Sequence, residues 1–226
     1  MLFTPGAQAY PLKTDSAEVL RPGETELVTS LEYERAGATR TTTIEPEFEI
    51  GIFDRAHVEL EVEHEIERER GQRQRTMEFS LKSRIALLQP AGGFALALQP
   101  SLARKSVRSP QRAQATELGL RALVTRTIRD TQWHFNAGYS RDVHEADDDE
   151  IFVGGAVSHR LAAAWKIQAE LYTKFAPRGG GGPLWVVNLA AKRKVTKTFS
   201  LVTRLGAGLN RRSPDFVGLI GCEWEP

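Results

Sequence analysis

The chain lacks the features that assign a protein class most directly. It has one cysteine, Cys222, among 226 residues, which excludes an intrachain disulfide framework and a cysteine-built zinc site. No run reaches the ~18 consecutive apolar residues of a membrane-spanning helix. Neither charge sign dominates: 30 Lys and Arg stand against 29 Asp and Glu, a net charge of +1. There is thus no polycationic footprint for nucleic acid and no acidic tail. A mean hydropathy of −0.35 suits a soluble protein. It equally suits a transmembrane barrel, in which only alternate residues meet lipid.

The start, MLFTPGAQA, has neither a basic region nor a long apolar core. Ala7-Gln8-Ala9 nonetheless fits a small-x-small signal-peptidase site. Residues 1–9 read either as the remnant of a signal peptide or as a disordered terminus.

What the chain does have is alternation. Residues 58–70 read VELEVEHEIERER, with a glutamate at every second position from Glu59 to Glu69. A helix would bring Glu59, Glu63 and Glu67 to successive i,i+4 positions, where like charges repel. A strand puts Val58, Leu60, Val62 and Ile66 on one face and the glutamates on the other. The pattern recurs along the chain. Phe48, Ile50 and Ile52 alternate with Glu47, Glu49 and Gly51. Phe79, Leu81 and Ile85 alternate with Ser80, Lys82 and Arg84. Trp133, Phe135 and Ala137 alternate with His134, Asn136 and Gly138. Residues 24–36, 150–160, 183–194 and 215–225 read as weaker strands, and the faces of 151–157 stay unassigned. The sum is about 12 strands of about ten to thirteen residues, longer than the ~5–6 typical of soluble sheets. They suit tilted membrane strands of ~9–11 residues with extensions.

The connections alternate as well. Short turns at 53–56, 89–93, 128–131, 161–164 and 195–198 interleave with more polar, often longer segments at 34–40, 68–74, 104–114, 141–149, 176–182 and 211–214. Short turns at one end and longer loops at the other mark outer-membrane barrels. Phe94, Trp133, Trp165, Phe199 and Trp224 fall at the short-turn level. Tyr33, Tyr139, Trp185 and Phe216 fall near the loops. The two sets predict two aromatic belts at the two bilayer interfaces.

A soluble sandwich would bury the apolar faces together and expose the glutamates. Long strands in up-and-down order with no intervening helix favour instead a closed meander, which leaves no unpaired edge in lipid. The polar faces then line an aqueous lumen. Glu47, Glu49, Glu61 and Glu63 build an acidic wall, and Lys82, Arg84, Arg121, Lys166 and Arg204 share the inward parity on later strands. Such a lumen is either a narrow polar pore or a barrel closed by ion pairs.

Several stretches resemble one family. TTTIEPEFEIGIFDRAHVELEVEH (41–64), with Gly51, Asp54, Arg55 and Glu61 in matching places, resembles the E-x-x-Y-G-L-T-D-R-L-E-L-x-V-E-V-P hairpin of outer-membrane barrels of the MetA-pathway-of-phenol-degradation-like transporter family. YPLKTDSAEVLRPGETEL (10–27), GFALALQPSLARKS (93–106) and LGAGLNRRSPDFVGLIGCEW (205–224) resemble other segments of it. A Pro-Thr-Gly after the fifth strand is absent, and the chain ends Trp224-Glu225-Pro226 rather than on an aromatic, a departure that bears on the barrel-insertion machinery. The resemblance implies passage of small, hydrophobic or aromatic molecules across a Gram-negative outer membrane.

Other candidates are weaker. A hydrolytic barrel needs a serine beside a histidine, but His134 and Ser140 would lie about 20 Å apart along one strand at ~3.4 Å per residue. Ser158 and His159 are adjacent and point to opposite faces. Asp147-Asp148-Asp149-Glu150 lacks the spacing of a calcium loop. Gly179 to Gly182 lacks the Lys-Ser/Thr of a phosphate loop. The sequence therefore predicts an all-β chain, a single antiparallel up-and-down transmembrane β-barrel over residues 24–226 with a periplasmic segment at 10–23. It predicts no cofactor, no metal, no catalytic set and no nucleic-acid partner. Expected partners are outer-membrane lipid, the insertion machinery and a small-molecule permeant. The alternatives are a closed structural barrel without transport and a membrane-embedded hydrolase.

Overall fold

The computed structural model describes residues 12–108, 113–143, 149–178 and 182–226. The candidate signal remnant at 1–9, Asp147, Asp148 and the glycines 179–181 lie outside the described residues. Twelve strands follow one another: β1 (Thr25–Ala36), β2 (Thr39–Phe53), β3 (Ala56–Glu69), β4 (Gln72–Ala91), β5 (Phe94–Arg108), β6 (Ala113–Ile128), β7 (Thr131–Asp142), β8 (Glu150–Ala162), β9 (Trp165–Phe175), β10 (Leu184–Lys194), β11 (Phe199–Gly208) and β12 (Phe216–Trp224). Each pairs antiparallel with the next, and β1 pairs with β12, so the sheet is a closed up-and-down barrel. Closure satisfies every strand edge, which a sheet in hydrocarbon requires.

Strand lengths span a wider range than expected, from 9 residues in β12 to 20 in β4. Two of the predicted loops are tight turns. β1 and β2 are separated only by Gly37 and Ala38, and β3 and β4 only by Arg70 and Gly71. Both glycines and Arg70 have positive φ, the backbone that a two-residue hairpin turn demands. The polar residues counted as loop at 34–40 and 68–74 instead extend the ladder.

The side-chain pattern is inverted relative to a soluble protein. Leu27, Leu31, Ile44, Phe48, Leu60, Phe79, Leu81, Leu189 and Leu205 are exposed on the outer wall, while Glu26, Glu49, His57, Glu59, Arg84 and Glu223 are buried inside. An apolar band of this extent around a closed barrel has hydrocarbon as its natural solvent. On β8 the unassigned parity resolves: Phe152, Gly154, Ala156 and Ser158 face inward, and Val153 faces out.

The stretch before β1 lies inside the barrel, a placement the sequence did not suggest. Leu12, Thr14, Ser16, Ala17, Glu18 and Leu20 are all buried. The chain leaves the lumen through Arg21-Pro22-Gly23-Glu24, where Glu24 N donates to Arg21 O at 3.0 Å and Gly23 takes φ +82°. Pro followed by Gly at the central positions is the signature of a type II turn. The turn is pinned to β2 by Gly23 N to Gly51 O and Gly51 N to Glu24 O, both 2.9 Å. A Cβ on Gly51 would meet Arg21 O at 1.9 Å, so only glycine lets the segment pass there.

Candidate functional site

Backbone groups of a segment without secondary structure need partners when buried. Here side chains on the wall supply them. Leu20 N donates to His57 Nδ1 at 3.2 Å, Ala17 N to Thr125 Oγ1 at 2.8 Å, Asp15 N to Asn136 Oδ1 at 2.6 Å and Thr14 N to Glu170 Oε1 at 2.5 Å. Asn136 Nδ2 returns a bond to Asp15 O at 3.0 Å. Arg121 Nη1 reaches Lys13 O at 3.3 Å, and Arg84 Nη1 reaches Glu18 O at 3.4 Å. The polar lumen residues of β3, β4, β6, β7 and β9 thus act as a surrogate strand edge. Apolar contacts are few: Ala17 packs on Ala95, Ala97 and Leu123, and Leu12 packs on Ala156 and Ala190. The wall is small-sided where the segment crosses it. A Cβ on Gly154 would approach Thr14 Oγ1 to 2.4 Å.

The segment divides the lumen into two vestibules. The one toward the loops, about 250 Å³, is lined by Lys13 and Asp15 of the segment and by Glu45, Glu47, Glu61, Glu63, Lys82, Arg121 and Arg204, among others. It holds nine carboxylates and five cationic side chains. The one toward the short turns, about 390 Å³, is bordered by Glu18, Lys166, Lys192, Lys194, Arg160 and Arg129, with five cationic side chains against three carboxylates. The lining charge therefore differs along the axis, net negative in the loop-end vestibule and net positive in the turn-end one.

Ion pairs knit the wall. Lys82 Nζ lies 2.5 Å from Glu59 and 2.6 Å from Glu61. Arg84, 1% exposed, stands 3.9 Å from both Glu59 and Asp15. Arg204 pairs with Glu32, and Lys13 lies 3.9 Å from the same carboxylate. Glu32 draws the Lys13 ammonium above the ordinary lysine range, and Glu45 adds to the effect. Burial pushes the Glu18 carboxyl above the ordinary carboxylate range, with Lys166 and Gln132 offsetting part of it.

Of the nine sequence-predicted lumen residues, Arg84 and Arg121 touch the segment. Glu47, Glu61, Glu63, Lys82 and Arg204 line the loop-end vestibule, and Lys166 lines the turn-end one. Glu49 lies buried beside His57, 3.8 Å from its Nε2. Sequence reasoning missed Asp15, Asn136, Thr125 and Glu170 as a seat. It also missed an apolar lumen patch in which Phe152 stacks on Tyr172 at 5.8 Å and Arg121 lies 4.4 Å over the Phe152 ring. Small residues at inward parity, such as Ala95, Ala97, Gly154 and Ala156, were the available signal. The predicted belt residues Trp133, Trp165, Trp224 and Phe94 at one level, and Tyr33, Tyr139, Trp185 and Phe216 at the other, are exposed on the outer wall. Phe199 is half-buried and pairs with Trp224.

The structure places His134 beside Ser158, not Ser140. Ser158 Oγ lies 3.5 Å from His134 Nε2, and Thr125 Oγ1 lies 3.0 Å from Nδ1. His134 and Ser158 are both buried, and Thr125 Oγ1 also accepts from Ala17 N and lies 3.4 Å from Ser16 Oγ. The histidine is thus oriented by a threonine that also holds the segment, and Ser158 borders the turn-end vestibule.

No protein-family model matches the chain, and no curated protein does. Solved structures share its architecture at low identity. The COG4313 outer membrane channel from Pseudomonas putida F1 is 11% identical, with 93% of this chain and 98% of that one covered at a TM-score of 0.67. The beta domain of the Bordetella autotransporter BrkA is 12% identical, covering 91% and 100% at 0.63. A monoaromatic hydrocarbon channel, CymD, is 8% identical, covering 92% and 89% at 0.56. At such identities the likeness establishes the barrel fold.

Proposed function

We propose that this chain is a gated passive channel for small polar solutes in a Gram-negative outer membrane, with residues 12–20 as the gate. One observation carries the reading: two charged vestibules of about 250 and 390 Å³ inside a closed barrel lie on either side of a short segment held through hydrogen bonds and ion pairs. Outer-membrane residence is supported by the apolar outer band and by the channels that share the fold. Both described ends of the barrel chain, Thr25 and Trp224, fall at the short-turn end, which is the periplasmic side in such barrels. The resemblance to MetA-pathway-like transporters implies hydrophobic or aromatic passengers. The lining favours small polar ones, with cations attracted at the acidic loop-end mouth.

The hydrogen-bonded seat of the segment favours a second reading, a closed structural barrel without transport. Planar-bilayer recordings of the full chain and of a variant lacking residues 10–20 separate the two. The channel reading expects rare openings in the full chain, sustained conductance in the variant, and a cation-selective reversal potential. If both proteins show the mobility shift of a folded barrel on unboiled gels and neither conducts, the structural barrel stands and the channel falls.

A further inference from the structure

The barrel closes where β1 meets β12, through the pairs Leu27 with Trp224 and Val28 with Glu223. Glu26 precedes Leu27, and Glu225 follows Trp224. Three carboxylates thereby converge at the turn-end rim of the seam. Glu26 and Glu223 are each 1% exposed. One oxygen from each of Glu26, Glu223 and Glu225 lies within 4.8 Å of the other two.

Two lysines reach two of the three carboxylates. Lys192 pairs with Glu223 and stands 3.8 Å from Glu225, and Lys194 stands 3.7 Å from Glu225. Among the described residues, neither lysine comes within ion-pair reach of Glu26. Glu26 Oε1 and Glu223 Oε2 are buried with no hydrogen-bond partner. The neighbour of Glu26 across the sheet on the other side is Glu49, another carboxylate. In the other two acidic clusters found among the described residues a cation likewise reaches one carboxylate, Lys82 on Glu61 and Arg84 on Glu59, so what sets the seam cluster apart is Glu26, 1% exposed and beyond the ion-pair reach of Lys192 and Lys194.

A buried, unpartnered carboxylate is strongly disfavoured when ionised. Either a shared proton or a bound cation relieves it. The spacing fits a cation: calcium–oxygen distances of about 2.3–2.6 Å let one ion touch oxygens up to about twice that far apart. We infer that Glu26, Glu223 and Glu225 form a divalent-cation site, with Ca²⁺ the preferred ion, that ties β1 to β12 and fastens the barrel seam. The donors are all hard oxygens with no histidine or cysteine, which selects against zinc and copper. Three carboxylates from two strands make a pliable set, which suits Ca²⁺ better than octahedral Mg²⁺. Glu225 borders the turn-end vestibule, so the ion has an entry path and water completes its shell.

The test uses the full chain folded in detergent micelles and stripped with EDTA. CaCl₂ is titrated calorimetrically, and the melting temperature is followed by circular dichroism with and without Ca²⁺. One binding event and a rise in Tm are expected. Glu26→Gln and, separately, Glu225→Gln at the exposed edge should each weaken binding by about tenfold or more and shrink the Tm shift, because affinity follows the carboxylate count. Absence of calcium heat and of a Tm shift in the stripped full chain overturns the site. So does an undiminished response in both variants, which puts the ion elsewhere. A rise in Tm for Glu26→Gln with no calcium response at all assigns the cluster to a shared proton and also overturns it.

Discussion

Asp15 Oδ2 lies 3.2 Å from Arg121 Nη1, joining the segment ahead of β1 to the wall of β6. Both side chains are roughly a quarter to a third exposed, at 27% and 30%, so water screens the pair and its worth is about 1 kcal/mol or less. That is the scale of a latch rather than a rivet. Asp15→Ala should raise the open fraction in bilayer recordings by roughly fivefold, the population change that about 1 kcal/mol produces. Arg121→Ala should act in the same direction, because it also loses the bond to Lys13 O, as Asp15→Ala also loses the 3.9 Å approach to Arg84. The double variant should open less than the sum of the two predicts, since the partners are coupled. Additive effects would mean that the pair does not hold the segment.

Gly51→Ala tests the entry point. Its Cβ would collide with the backbone oxygen of Arg21, an atom that cannot swing away. The turn at Arg21–Glu24 must then leave β2, with loss of two 2.9 Å hydrogen bonds. The expected result is a folded barrel by unboiled gel mobility, with proteolysis of the N-terminal segment faster than in the parent. Unchanged proteolysis would show that the segment is not anchored at Gly51.

The barrel was legible because each strand repeats one signal: alternate residues choose lipid or lumen, and the period of two survives even in VELEVEHEIERER. The inward parity of Glu61, Lys82, Arg84 and Arg204 followed from the same rule. Strand ends were less legible at Gly37-Ala38 and Arg70-Gly71, where polar residues that look like loop continue the ladder above the membrane. The segment at 12–20 was illegible for a physical reason. Its order comes from wall side chains far away in sequence, Thr125, Asn136 and Glu170, and no local periodicity records them. Ser158 beside His134 was missed because cross-strand register, not sequence spacing, brings them together.

Lys82 sits between Glu59 and Glu61, and Glu59 is 3% exposed. Lys82→Met leaves carboxylates facing one another without their shared cation, a loss of about 3 kcal/mol for a broken buried pair. Urea unfolding in lipid vesicles should show that destabilisation. Adding Glu59→Gln and Glu61→Gln to Lys82→Met should restore most of it. A neutral single variant would mean that Arg84 alone compensates the acidic wall.

The outer wall gives a depth-dependent prediction. Leu189 is the middle residue of β10 and is exposed beside Leu205 of β11. Leu189→Arg should cost about 2–4 kcal/mol in folding titrations into vesicles, the midplane penalty for a charge facing lipid. Leu209, beyond the end of β11 and equally exposed, should tolerate arginine at about 0–1 kcal/mol. Equal costs at the two positions would place the hydrocarbon band elsewhere, and no cost at either would argue for a soluble barrel.

Glu18 makes seating of the segment depend on pH. Burial raises its carboxyl above the ordinary value of 4.5, against the opposing influence of Lys166, Gln132 and Arg84. A freed segment exposes Glu18 to water and returns it to the ordinary value. Below that value both states carry the proton, and the seated state bears no charge penalty. As pH rises from 4.5 toward the raised value, the freed state ionises first, and the seated state is progressively disfavoured. The closed fraction in bilayers should therefore be larger at about pH 4 than at about pH 7. Glu18→Gln removes the ionisation while keeping an amide that can meet Gln132. This variant should stay closed at neutral pH more than the parent does, and comparison with it isolates Glu18 from the other lumen carboxylates. Identical pH profiles for the two proteins would show that the Glu18 proton plays no part in seating the segment.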